Sequence, residues 1–84
     1  MALSSDPAEQ LRAEKTLLIK AEKDIDEGWR RLRHQQQLHS DLQAAGHDST
    51  QAERLVQLLQ QTLIEWERHR VLIEERIAYL ERRH

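Results

Sequence analysis

The sequence predicts an all-α chain, a long antiparallel two-helix hairpin of coiled-coil type that dimerises into a four-helix bundle. Three observations lead there. Turn-forming residues are scarce, with two Gly and one Pro in 84 residues, and few turns mean few, long elements. Leu, Ala, Glu, Gln and Arg dominate, the residues that lose least on entering a helix. Apolar residues recur at helical spacing rather than alternating as a strand would require. Charged residues reach 33% of the chain, a level that suggests disorder only where apolar residues are scattered.

Residues 1–6 carry no helical pattern and are expected to be disordered; 7–84 form a single helical domain. Asp6 is placed to cap free backbone N–H groups, Pro7 suits the first helical position, and Glu9 complements the dipole in the first turn. Helix 1 is expected to run over about 7–45. The stretch Ala45-Gly46-His47-Asp48-Ser49-Thr50 is the single stop signal. Gly46 suits a left-handed position ending helix 1. The turn covers Gly46, His47 and Asp48. Asp48 or Ser49 then caps helix 2 over about 49–83, with Thr50 and Glu53 as an alternative capping box. So short a link makes the helices antiparallel neighbours.

Helix 2 carries the stronger seam. Steps of four and three from Ala52 give Val56, Leu59, Leu63, Trp66, Arg70, Ile73, Ile77 and Leu80, with Arg70 the lone charge. Leu55, Leu58, Thr62, Leu72 and Tyr79 widen the stripe beyond what one neighbouring helix covers. On helix 1, Leu11, Leu18, Ile25 and Leu32 recur every seven residues and lead into His39. Glu14, Ala21, Gly28, Gln35 and Leu42 accompany them, with Leu17, Ile19, Trp29 and Leu38 alongside. Gly28 costs roughly 1 kcal/mol in a helix interior, and its level in the hairpin suggests that it makes room for Trp66. Two helices sharing one seam bury too little to offset the entropy of ordering them. A second copy stacked on the wide stripe solves this as a two-fold dimer.

Chemistry is sparse. The formal net charge of −2 gives no general pull toward nucleic acid. Absent cysteine excludes disulfides, thiolate metal sites and thiol catalysis. MALSSDPAEQ lacks a signal-peptide pattern and no apolar run approaches a membrane span, so a cytoplasmic protein without membrane contact is expected. His34, His39, His47, His69 and His84 lack zinc-site spacing, and Glu81 with His84 forms the sole Glu-x-x-His. His39 is expected to hydrogen-bond in a polar layer with Gln35, and His47 to bond a helix-1 carbonyl. Arg70 can fix register through Glu22, Asp24 or Asp26, or lay its stem on the seam and reach water; the second reading is preferred. Arg30, Arg31 and Arg33 beside Trp29 form the one candidate RNA patch, but Glu27, Glu65, Glu67, Glu74 and Glu75 intersperse the chain's basic residues. No phosphate-binding loop occurs, and Ser4, Ser40 and Ser49 have no base arranged around them. The expectation is therefore a non-enzymatic structural or protein-interaction module without metal, cofactor or small-molecule substrate. It acts as a homodimer and binds a further protein; a small RNA-binding bundle regulator is the alternative.

The stretch Ile25-x-x-Gly28-x-x-Arg31-Leu32-x-x-Gln35 is followed by Leu42 and the turn Gly46-His47-Asp48-Ser49-Thr50. Ala52, Leu55, Thr62-Leu63, Trp66 and His69-Arg70 come next. In these residues the region 25–73 resembles a group of short alphaproteobacterial helical-hairpin proteins of unknown function. The resemblance implies a bacterial helical hairpin and lends no catalytic residue. The Gln35-Gln36-Gln37 run and the long helical extension before Ile25 depart from that pattern.

Overall fold

In a computed structural model describing residues 6–83, the chain forms α1 (Pro7–Ala44) and α2 (Thr50–Arg82), with no strand among the described residues. Apart from Asp6, the segment expected to be disordered lies outside the described residues, as does His84. The helices run antiparallel: Glu14 near the start of α1 pairs with Arg76, and Lys15 reaches Glu81 at 3.7 Å, both near the end of α2. The Cα trace spans 60 × 26 × 14 Å. Its radius of gyration is 18.8 Å, against roughly 12 Å for a compact chain of this length. The hairpin is a plate one helix thick.

Local chemistry sets the ends. The Asp6 carboxylate accepts the Ala8 N–H at 3.0 Å, and Pro7 follows without a donor to satisfy. At the far end of α1, Gly46 has φ +73°, where a Cβ would be strained. Its N–H donates to the Gln43 carbonyl at 3.1 Å, and the His47 N–H donates to the Leu42 carbonyl at 2.9 Å. These two bonds make the Schellman closure. The bond to a helix-1 carbonyl expected of the His47 side chain is not seen among the described residues; the His47 backbone amide makes one instead.

Of the two expected caps of helix 2, Asp48 supplies the side-chain bond and Ser49 does not. Asp48 accepts both the Thr50 N–H at 3.0 Å and the Thr50 hydroxyl at 2.7 Å. Ser49 makes no side-chain cap bond, and the Glu53 N–H donates to the Ser49 carbonyl at 2.9 Å. Thr50 is the first helical residue rather than the cap, and its hydroxyl is already committed. A Thr50–Glu53 box therefore does not form.

The Thr50 amide, then the Thr50 hydroxyl, hold the Asp48 carboxyl below the ordinary aspartate range. A depressed folded-state pKa means the contribution is complete above the unfolded value and disappears as pH falls through the folded one. Asp48→Ala should lower the melting temperature at neutral pH, and the difference from wild type should close in strong acid. Asp48→Asn, which keeps an acceptor oxygen but not the charge, should fall between Asp48→Ala and wild type at neutral pH. Gly46→Ala should cost about 1 kcal/mol at every pH, because its strain is steric. Thermal melts followed by circular dichroism check all three.

Candidate functional site

The buried stripe between the helices is short of side chains. Ile25, Leu32 and Leu63 form the central cluster, with Val56 and Leu59 packed against it. Ile73, Ile77 and Leu80 continue it toward the open end, and Ala52 is buried by the turn. Leu18 is half-buried. Trp29 and Trp66, expected in the dimer and core seam, are 40% and 38% exposed within the chain. The helices approach closely at Gly28, with Leu63 and the Trp66 ring against it. A Cβ there would lie 2.7 Å from Leu63 Cδ2 and 3.2 Å from Trp66 Cζ3. Gly28 thus makes room first for Leu63 and second for the indole.

An exposed Gly→Ala change in a helix stabilises by about 1 kcal/mol. At Gly28 the new methyl must displace Leu63, itself 2% exposed, and crowding of this kind costs roughly 1–3 kcal/mol. Gly28→Ala should lower stability by about 1 kcal/mol and shift the Trp fluorescence. In a Leu63→Ala background the same change should turn stabilising. Urea titrations of the four proteins give the cycle directly.

Three polar residues interrupt the stripe. Gln35, His39 and Arg70 are each half-buried, and Gln35 Oε1, His39 Nε2 and Arg70 Nε have no hydrogen-bond partner among the described residues. The expected Gln35–His39 layer does not form. Gln35 lines a groove whose α2 residues, Leu55, Leu58 and Leu59, offer no side-chain polar atom. Arg70 pairs with no carboxylate of α1: Asp24 holds Lys20 at 2.8 Å and Asp26 holds Arg30. Its stem lies on the seam and Nε is closed off. Leaving a buried donor or acceptor unmatched costs about 1–3 kcal/mol, and an apolar replacement removes that cost. Arg70→Leu should therefore raise the melting temperature by several degrees without loss of helicity.

The two broad sides of the plate differ. Because the α1 seam repeats every seven residues, the residue before each seam position faces one side throughout, here named the front. In an antiparallel pair the residues preceding the α2 seam positions face that same side. The front exposes Leu17, Leu38, Leu55, Leu58, Leu72 and Tyr79, each between 42% and 62% exposed. Arg30, Arg31 and His34 edge a shallow groove floored by Leu55, Leu58 and Leu59. The back carries Ile19, Ile64 and Val71, and a groove beside Trp29 and Ile64. Sequence reading noted the α2 flank but not that Leu17 and Leu38 share its side. The signal was present as a second seven-residue series, Leu17, Asp24, Arg31 and Leu38.

The three arginines do not form one patch. Neighbouring helix residues are about 100° apart, so Arg31 and Arg33 face different sides of α1, while Arg30 and Arg31 edge the front groove. The Asp26 hydrogen bond, then its charge, raise the Arg30 pKa above its ordinary value. Among the described residues no group of three or more His, Asp or Glu is placed to hold a metal ion, and no helix is long and apolar enough to cross a membrane. A scan against protein-family models gives no match, and comparisons with curated proteins and with solved structures give none either.

Proposed function

We propose that this chain is a non-enzymatic protein-interaction module that works as a homodimeric helical bundle. The apolar front carries this reading. Six large apolar side chains lie on one side of a plate that has no interior to receive them. The accessible surface is 6652 Å² for a 10.0 kDa chain, whereas a compact monomer of that mass exposes about 5,200 Å². The excess is on the order of 1,400 Å², more than the roughly 800 Å² per partner that a stable interface buries. The back face, with Ile19, Trp29, Ile64 and Val71, is then left for a further protein.

An RNA-binding role has less support. Arg30 is already engaged by Asp26, and Arg31 and Arg33 face different directions. Affinity for nucleic acid rests on several uncompensated cations acting together.

Sedimentation equilibrium at micromolar concentration should give a species of twice 10.0 kDa with full helicity. A fully helical, monodisperse monomer would refute the reading. Structured RNA at low salt should leave the sedimentation profile unchanged.

A further inference from the structure

Leu17, Asp24, Arg31 and Leu38 each precede a seam residue, Leu18, Ile25, Leu32 and His39. They therefore form a straight row along the front of α1, with steps of about 10 Å. In order they read apolar, acidic, basic, apolar. Turned end for end, the row is its own complement. Leucine meets leucine at both ends, and acid meets base twice in the middle.

We propose that two copies pack front to front about a two-fold axis perpendicular to the helices, with α1 lying antiparallel on α1 of the other copy. Leu17 of each copy then contacts Leu38 of the other, and Asp24 of each pairs with Arg31 of the other. This rests on the homodimeric reading above and fixes its face and register. The axis passes between Glu27 and Gly28.

Four observations support the arrangement. Leu17 and Leu38 are 45% and 42% exposed, and their apolar surface has no cover within the chain. Arg31 is exposed and has no ion-pair partner among the described residues. Asp24 is 41% exposed at its side chain and engages Lys20 through Oδ2 alone, which leaves Oδ1 to accept a guanidinium. The same axis crosses α2 near Trp66, the ring over Gly28. It brings Leu55 toward Tyr79 of the other copy, and Glu65 toward His69.

The charges also select the register. A slip of seven residues one way sets Arg31 on Arg31 and Asp24 on Leu38. The opposite slip sets Asp24 on Asp24 and Leu17 on Arg31. Like charges apposed across an interface oppose association, so one alignment stands out. A two-fold axis parallel to the helices would instead lay α1 on α2 and bring Arg31 to Glu65.

The chain has no cysteine, so single-cysteine variants report contacts cleanly. Mixing Leu17→Cys with Leu38→Cys under mild oxidation should give a disulfide-linked heterodimer, while either variant alone should give little. Asp24→Arg and Arg31→Asp should each weaken dimerisation about tenfold. The double variant Asp24→Arg/Arg31→Asp should restore it to near the wild-type value. A dimer without the 17–38 link, or a double variant no better than the singles, would overturn the arrangement. Linking of Leu38→Cys to Leu58→Cys would overturn it in favour of the parallel axis. A monomer by sedimentation would overturn the homodimeric reading beneath it, so the two failures are told apart.

Discussion

Two helices packed side by side bury only the stripe that each turns to the other, and among the described residues there is no third element to cover anything else. That constraint governs the rest of the molecule. The stripe must be narrow and close, and Gly28 supplies the closeness by letting Leu63 seat against bare backbone. Leu63 and Ile73, the most buried large side chains, lie in the same α2 series that Arg70 interrupts. The open end, farthest from the turn, is held by the Glu14–Arg76 and Lys15–Glu81 pairs. The Lys15–Glu81 pair is exposed and contributes little, and Glu14, its side chain 14% exposed, is the one largely covered partner, so the apolar stripe supplies most of the cohesion within the chain.

The turn was legible because its chemistry is local. A positive φ asks for Gly46, and an amide pointing out of a new helix asks for an acceptor two residues earlier, which Asp48 provides. The helix starts at Asp6 and Pro7 follow the same logic. Periodicity likewise identified Ile25, Leu32 and Leu63, because a seven-residue step states which way a side chain faces. It does not state how much of a ring its own chain will cover, and Trp29 and Trp66 are left 40% and 38% exposed. Nor does it state what the opposite helix offers. Gln35 and His39 look like a hydrogen-bonded layer when only their spacing is considered, yet Gln35 Oε1 and His39 Nε2 are without partners among the described residues and the α2 side of the Gln35 groove is leucine.

The polar interruptions have a consequence for how long the apolar contact can be. Arg70 divides the α2 seam into a block around Leu63 and a block at Ile73, Ile77 and Leu80. Gln35 and His39 thin the α1 side toward the turn. An uninterrupted apolar stripe of this length would tolerate sliding by whole heptads with little penalty, since leucine would replace leucine. A half-buried charge in the middle removes that freedom, because each displaced register must bury it elsewhere. Buried polar groups can trade stability for a single alignment in this way, although here none is matched by a partner within the chain.

The cations on α1 differ in what they meet. Lys20 and Arg30 each find a carboxylate four residues away on their own helix, Asp24 and Asp26. Arg31 follows Arg30 directly but points to the front, where the residues seven before and seven after it are Asp24 and Leu38. Its own helix could bond it only by drawing Glu27 inward from the rim, and the structure does not do so. An unpaired surface arginine is unremarkable by itself, because exposed pairs contribute so little. An unpaired arginine within a leucine-bounded row, beside an aspartate with one free oxygen, is different. The two charges are about 10 Å apart along the same line, too far to meet within one chain. The spacing that keeps them apart within a copy brings them together across an antiparallel pair, and the flanking leucines would exclude water from that contact.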